Sequence, residues 1–370
     1  MAGGGIGNTA YHAARGIHQA GRLKRLIVSS YVPTDIDAKL IKSMGLVGRA
    51  LKKLASFDRT GNADAIANSI FDLYAARQIV PCSIFHGWAG FSLQSLRRAR
   101  RLGAVTVLER ASCHILTQKR LLEEEYQRHG LGRPAIADVA IKRELREYEE
   151  VDFVGVPSQF AFDSFVEQGF HPDKLILTPF GVDTRRFRPA RRNDSTFRAL
   201  FVGQVSIRKG IQYLLHAWQE LDVKEGELVV VGNIGLGARR VAENLLKADR
   251  QGARIRFAGF DPDPVALYQS ASVFVFPSIE EGSALVTYEA MACGVPVITT
   301  PNAGSVVRDG VDGFIVPAGD VQALKNGLLL LYKDPKLCAE MGASARRRAE
   351  EFSWERYEQN LVAAYRKLPG

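Results

Sequence analysis

Residues 273–298 read VFVFPSIEEGSALVTYEAMACGVPVI. The run Val273–Phe276 is apolar at every position, which predicts a parallel strand covered on both faces. Pro277 and Ser278 end it, and a turn follows over Glu280–Ser283. A helix is expected from about Ala284 to Cys293, with Gly294 stopping it. Pro296–Thr299 reads as the next strand. Strand, helix, strand is the repeating unit of a parallel sheet. The N–H groups of Ser283, Ala284 and Leu285 are expected to stand open at the helix start, where backbone dipoles favour a diphosphate or sugar hydroxyls. Glu281 and Glu289 lie eight positions apart. Glu289, a turn and a half inside the helix, is placed to accept from two vicinal hydroxyls of a ribose. Either glutamate alone reads as a surface charge. The run of Pro277-Ser278, Glu281-Gly282, Glu289-Ala290 and Gly294-Val295-Pro296 is what makes the segment specific.

Working outward, FVGQVSIRKGIQYLLHA (201–217) repeats the pattern. A strand ends at Gly203, a loop holding Gln204 follows, and a helix opens near Gly210. Arg208 and Lys209 stand at that opening, two cations beside free N–H groups, a diphosphate clamp. Other Val/Ile-rich runs predict strands at Leu23–Ser29, Cys82–His86, Ala104–Leu108, Phe153–Pro157 and Lys174–Thr178. Further ones fall at Arg198–Val202, Glu227–Val231 and Arg254–Ala258. Helical patterns such as Gly210–Leu221 and Ala238–Arg250 lie between them. The alternation defines an α/β doubly wound architecture. At 370 residues the chain suits two domains. The charged stretch RFRPARRNDSTF has neither hydrophobic period and reads as their seam. The expected division is residues 1–187, residues 188–350 and a C-terminal helix in 351–370 that could fold back across the seam.

Composition sets limits on function. Cys82, Cys113, Cys293 and Cys338 form no CxxC pair, so neither a metal framework nor a disulfide scaffold is expected. No apolar run reaches the length of a membrane span, and the N-terminal residues do not resemble a signal peptide. A cytoplasmic setting is expected. Of the net charge of +9, residues 1–188 carry +8 (27 Lys/Arg against 19 Asp/Glu). The excess is therefore local and points to one anionic surface or ligand. No nucleic-acid motif accompanies it, so no nucleic-acid partner is expected. The Gly-rich stretch Gly3–Gly7 reads as the turn after a first strand, yet no strand-forming residues precede it. Either the strand lies before residue 1 or another segment takes its place in the sheet.

The motifs together resemble the retaining glycosyltransferases of family 4. The matching pieces are TPFGVDTRRFRP (178–189), FVGQVSIRKG (201–210), IRFAGF (255–260), SVFVFPSIEEGSALVTYEAMACGVPVI (272–298), VRDGVDGFIVPAGD (307–320) and EFSWERY (351–357). The resemblance is dense in the C-terminal half and one of plan in the N-terminal half. It implies the GT-B fold, two Rossmann-like domains facing each other across a cleft. It also implies transfer of a sugar from a nucleotide diphosphate to a hydroxyl with retention, without a metal or other cofactor. By similarity, Lys209 and Arg208 hold the phosphates, and Glu281, Ser283, Ala284 and Leu285 hold the donor sugar. Glu289 holds the ribose, Phe260 meets the base, and Gly4 and Gly5 let the N-terminal domain approach the donor. Gly203, Gln204 and Gly282 complete the donor set. The sequence departs from the family at Gln204, where Arg is frequent, and at Phe180, where Asn is usual. It also departs at Ser283-Ala284 in the EGFG pattern. Many members have a functional His where Glu109 and Arg110 stand. His86 and Arg110 are the candidates for that role, with His114 nearby.

The segment AKLIKSMGLVGRALKKLASF (38–57) has apolar residues at helical spacing and no acidic ones. Its Lys39, Lys42, Arg49, Lys52 and Lys53 would suit an anionic membrane surface, or a solvated face of a helix packed on its own domain. The expected partners are a sugar nucleotide, a saccharide or lipid-linked saccharide acceptor, and an anionic membrane surface reached peripherally. The competing readings are a related GT-B phosphorylase or disaccharide synthase, and a non-catalytic membrane-binding subunit.

Overall fold

The computed structural model describes residues 8–369, apart from residues 31–33, 56–61, 133, 135, 193, 222, 224, 236, 239 and 242–253. Gly4, Gly5 and most of the helix expected over Ala238–Arg250 lie outside the described residues, as does the side chain of Lys52.

The N-terminal half holds two separate parallel sheets. β1 (Leu26–Val28) pairs with β2 (Ile41–Ser43). β3 (Ile84–Trp88), β4 (Val105–Glu109), β5 (Phe153–Val156) and β6 (Leu175–Leu177) form the other, in that order. The C-terminal half holds one parallel sheet of six strands. They are β7 (Phe197–Val202), β8 (Gly226–Val231), β9 (Ile255–Gly259), β10 (Val273–Phe276), β11 (Val297–Thr299) and β12 (Gly313–Ile315). Their order is β12-β11-β10-β7-β8-β9. All four residues of β10 are buried, as expected for a strand flanked by helices on each side. Leu200, Phe201, Val229, Phe274 and Ile298 anchor the largest apolar core of the protein.

Chain order reverses between β7 and β10: β8 lies on one side of β7, and β10 lies on the other. Such a switch point opens a crevice beyond the carboxyl ends of the two strands, because their following loops diverge. The loop after β7 carries Arg208 and Lys209, and the loop after β10 carries Glu280–Ala284.

The final helix, Trp354–Tyr365, starts at Ser353, whose hydroxyl caps the Arg356 N–H. It packs on helix Asn8–Gln19 of the N-terminal half. Trp354, Tyr357 and Leu361 bury against Ala13 and Phe180 there. Phe180, which replaces the usual Asn, is 3% exposed and works as an apolar anchor for this helix.

Two expectations need correction. Within the segment 38–57, the described residues 38–55 are not one helix. They form a short 3-10 turn (Ala38–Leu40), then β2, then a helix over Leu46–Ala55. Gly45 takes a left-handed φ of 60°, which breaks the helical path, while Ile41 and Ser43 gain ladder bonds to β1. The strands β2 and β12 were also not foreseen. Each is three residues long, too short for a period-two signal.

Candidate active site

The site is built at the switch point. Ile207–Lys209 form a single 3-10 turn, and Gly210 follows at φ 72°. A side chain at Gly210 would collide with the Pro277 carbonyl, so glycine is what lets the loop after β7 lie against the loop after β10. Arg208 then reaches across that contact. Its Nε is 2.8 Å from Glu280 Oε2, and its Nη2 is 3.1 Å from Glu281 Oε1. Lys209 pairs with the other oxygen of Glu281 and stands 5.4 Å from the centre of the Phe276 ring. Burial, reinforced by the Arg208 charge and opposed by Glu280, pushes the Lys209 ammonium down to about 7. The two cations of the clamp are thus already neutralised by the two adjacent glutamates.

Glu280 was missed as a functional residue. The only signal for it was its place beside Glu281. It is fully buried, and it ties the two halves together. Ser112 Oγ donates to one of its oxygens, with the Cys113 thiol 3.3 Å away, and Gln118 Nε2 donates to the other at 2.8 Å. Burial alone would raise the Glu280 carboxyl, but Arg208 and the Ser112 and Gln118 hydrogen bonds more than offset it, and the net shift is downward. Gly282 continues the contact. Its carbonyl accepts from Ser158 Oγ at 2.5 Å, and a side chain there would run into Ala111 and Ser112.

The helix after this loop runs Leu285–Ala292, one residue later than expected. The Ala284 N–H is not open: it donates to the Ala303 carbonyl at 3.0 Å. Among the described residues, the N–H groups of Ser283 and Leu285 have no partner, so two of the three expected amides are available. The Ser283 hydroxyl is turned to the Tyr288 hydroxyl at 3.0 Å and does not join them.

Leu285 and Glu289 open onto a small cleft of about 220 Å3, walled opposite by Asn8, His12 and Arg15 of the N-terminal half. Arg186 adds a cation there and is held by Asp263 at 2.9 Å. Arg186 lies inside the quoted TPFGVDTRRFRP, whereas nothing local marks His12. His12 is stacked on Trp354 at 4.1 Å and bound to Glu358 at 2.7 Å. The Tyr268 hydroxyl donates to one Glu289 oxygen at 2.8 Å, leaving the other toward the cleft. Burial pushes the Glu289 carboxyl up to about 7, against the Tyr268 hydrogen bond and the Arg186 charge. The folded protein therefore holds this proton between the ordinary carboxylate range and about 7. Its stabilising effect is complete below that range and is lost as pH rises through 7. Glu289→Gln should gain stability relative to wild type on going from pH 5 to pH 8, on the order of 1–3 kcal/mol in urea unfolding. A parallel pair of pH profiles would contradict it. Glu147, which burial also pushes up to about 7, keeps some slope in both.

The structure separates the two N-terminal candidates. Arg110 is close to the site. Its guanidinium donates to the Cys113 carbonyl at 3.1 Å and to Gln118 Oε1 at 2.8 Å, and Gln118 in turn holds Glu280. Glu144 pairs with it at 3.3 Å. His86 is elsewhere: it bonds Tyr365 at 2.7 Å, stacks on Trp88 and lies near Glu109. His86 lies in the middle of β3 and faces Tyr365 of the C-terminal helix, so it does not join Glu281. His114 caps helix Ile115–Arg128 among Tyr148, Phe165 and Phe170, and burial with the Arg110 charge pushes it down to about 4. Gln204 is exposed beside Gly203, and Phe260 is 67% exposed just after β9. Among the described residues, no group of three His, Cys, Asp or Glu is arranged to hold a metal ion.

Two facing α/β halves, with cations and open helix amides at a switch point, define the GT-B class of glycosyltransferase folds. Residues 183–348, in the C-terminal half, match the model of the family described as glycosyl transferases group 1. The chain is 30% identical over 218 residues to a D-inositol 3-phosphate glycosyltransferase of Rhodococcus jostii, covering 54% of this chain and 48% of that protein. It is 32% identical over 236 residues to an MMP alpha-(1->4)-mannosyltransferase of Mycolicibacterium hassiacum, covering 61% and 56%. The chain spans about half the length of the curated relatives it matches. In fold, it superposes on Anabaena HepE, solved in complex with UDP, with a TM-score of 0.69 and 15% identity over 99% of this chain and 98% of that one. Sucrose-phosphate synthase from Thermosynechococcus elongatus gives 0.67 and 22% over 98% and 94%.

Proposed function

We propose that the protein is a retaining glycosyltransferase that moves a sugar from a nucleotide diphosphate to a hydroxyl acceptor in cell-surface polysaccharide or glycolipid synthesis. The observation that carries this reading is the set at the switch point: Arg208 and Lys209 beside the open amides of Ser283 and Leu285. An entering diphosphate exchanges the Glu281 carboxylate for its own oxygens on Arg208 and Lys209, and the helix start adds its partial positive charge. Glu281, released from those cations, turns to the hydroxyls of the donor sugar. Glu289 accepts from the ribose through its remaining oxygen, and Phe260 covers the base. In the transfer, the bond from the anomeric carbon to the phosphate oxygen breaks, and the acceptor oxygen bonds the same face. Its proton passes to the departing phosphate oxygen, and Arg208 and Lys209 stabilise the charge of the leaving diphosphate. Arg110 acts as a positioning residue through Gln118 and Glu280. Calorimetry with UDP, GDP and ADP tests the reading: at least one should bind at micromolar strength, and binding of none would overturn it.

Two fixed cations on the diphosphate make a divalent ion unnecessary in this mechanism. Turnover should survive EDTA, and complete loss restored by manganese or magnesium would contradict that.

The acceptor side of the proposal is a lipid-linked saccharide at an anionic membrane surface. Lys39, Lys42, Arg49 and Lys53 are all exposed, and Leu46 and Val47 beside them are 77% and 59% exposed. Nearby in the chain, Ile66 and Leu73 on helix Asn62–Gln78, which packs on helix Leu46–Ala55, are also exposed. No helix among the described residues is long and apolar enough to cross a membrane. Cations over exposed apolar side chains suit reversible attachment, each near an anionic surface contributing about 1 kcal/mol. Binding to anionic vesicles, little to neutral ones, and release by salt are expected. Replacing Lys42, Arg49, Lys52 and Lys53 with Gln should abolish binding and leave nucleotide affinity intact. Equal sedimentation with both kinds of vesicle would remove the membrane from the proposal.

A further inference from the structure

Helix Asn8–Gln19 of the N-terminal half and the final helix, Trp354–Tyr365, pack together and share one wall of the cleft that Glu289 lines. Gly16 sets how closely they approach: a Cβ there would stand 2.7 Å from the Glu358 Cβ. The approach brings one oxygen of Glu358 to His12 Nδ1 at 2.7 Å and to Arg15 Nε at 2.8 Å. The His12 ring is also stacked on Trp354, with centres 4.1 Å apart and planes 1° from parallel. Together these contacts fix both the position and the rotation of the imidazole. A carboxylate only accepts, so the Nδ1 proton belongs toward Glu358. Burial lowers the His12 imidazole, and the Glu358 hydrogen bond opposes this without restoring the ordinary value. The ring is therefore neutral near neutral pH, and Nε2 presents a lone pair. Among the described residues nothing bonds that nitrogen, and the ring lines the cleft.

The far wall offers a second acceptor. Helix Leu285–Ala292 begins with Leu285 packed against the Trp354 and Tyr357 cluster, and Glu289 stands one turn further on. Tyr268 takes one Glu289 oxygen and leaves the other to the cleft. A group seated between His12 Nε2 and Glu289 must bring a hydrogen-bond donor to each. A phosphate brings none, whereas a vicinal diol brings two. The cleft, at about 220 Å3, has room for about seven waters, which suits a furanose ring and is small for a disaccharide.

We propose that His12 reads the ribose of the bound nucleotide: one hydroxyl of the diol donates to the free oxygen of Glu289, and the other donates to His12 Nε2. The sugar then ties the N-terminal half to the C-terminal half. This rests on the reading of Arg208 and Lys209 as a nucleotide-diphosphate clamp. Glu358 is a positioning residue, since it holds the tautomer and the rotation that aim Nε2 at the cleft. The consequence is selectivity for ribonucleotides, because a deoxy form leaves one buried acceptor unpaired.

Calorimetry near neutral pH tests this with UDP, GDP and ADP, and with the 2′-deoxy and 3′-deoxy forms of whichever binds. The wild-type protein should bind the ribonucleotide about three- to tenfold more tightly than either deoxy form, the range for one lost neutral hydrogen bond. His12→Phe keeps a ring on Trp354 and leaves Glu358 paired with Arg15. It should erase the preference at one hydroxyl, to within about twofold, and keep it at the other. Glu358→Gln, whose amide oxygen still accepts from Nδ1, should keep both preferences. Hydrogen exchange on the wild-type protein needs no variant: residues 8–19 should gain at least about tenfold protection with the ribonucleotide and clearly less with one of the two deoxy forms. Unchanged preference at both hydroxyls in His12→Phe, or equal protection with all three forms, overturns the proposal and leaves the clamp standing. Binding of none of UDP, GDP and ADP overturns the clamp, and the proposal with it.

Discussion

Glu280→Ala should cost about 3–5 kcal/mol of stability, the usual effect of removing one member of a buried ion pair. The carboxylate is fully buried and holds Arg208 with one oxygen, while Ser112, Cys113 and Gln118 of the other half converge on it. Its removal leaves Arg208 with Glu281 as its one carboxylate partner beside the backbone carbonyl of residue 280, and leaves the Ser112 hydroxyl and the Gln118 amide without their buried carboxylate acceptor. Because these partners come from both halves, the loss falls on the contact between them. Urea unfolding should show it. Glu280→Gln should cost less, since an amide oxygen can still accept one hydrogen bond. The sign with pH follows from the downward shift of this carboxyl. The stabilisation is present above the ordinary carboxylate range and is lost as pH falls through the depressed value, so the two variants and wild type should converge in acid. A full-strength Glu280→Ala protein at neutral pH would show that the halves are joined by other contacts.

Lys209→Ala should weaken nucleotide-diphosphate binding by about 2–4 kcal/mol, or roughly 30- to 1000-fold, the range for a charge-assisted contact in a partly dry site. The ammonium sits behind Phe276 with limited exposure and faces the same crevice as the open amides. Its present partner, Glu281, is already paired with Arg208 and would remain so. The substitution therefore leaves no uncompensated charge, and its cost should appear in ligand affinity and little in stability. Since burial pushes this ammonium down to about 7, wild-type affinity should fall as pH rises beyond that value, and the variant should lose that dependence. Calorimetry across pH checks both parts, and unchanged affinity in the variant would remove Lys209 from the clamp.

Much of this site was legible in the chain. Val273–Phe276 reads as a strand buried on both faces because no position is polar, and Gly294 marks the helix end because a left-handed turn suits glycine. From those two signals, the position of Glu281, Gly282 and Glu289 at the sheet's carboxyl edge follows. Arg208 and Lys209 are placed by the same reasoning applied to β7. The basic segment at 38–57 shows the opposite case. Its helical period is real over Leu46–Ala55, but Ile41–Ser43 preferred pairing with β1. Sequence spacing does not register the unpaired edge that a strand 13 residues earlier offers.

Local residue patterns were enough to read the parallel doubly wound sheets, the ends of the strands at which chemistry can occur, and the cations and glutamates gathered there. These depend on interactions within a turn or along one strand, and such interactions leave a local period. Which of those groups are occupied is set by packing between elements far apart in the chain. Ala303 takes the Ala284 amide, Tyr268 takes one oxygen of Glu289, and Tyr365 draws His86 away from the cleft. The same packing makes Glu280, and not only its neighbour, join the halves. Each of these partners lies between 19 and 279 positions away in the chain. A buried polar group takes whichever complementary partner the packing brings to it, and that choice is made by the folded chain as a whole.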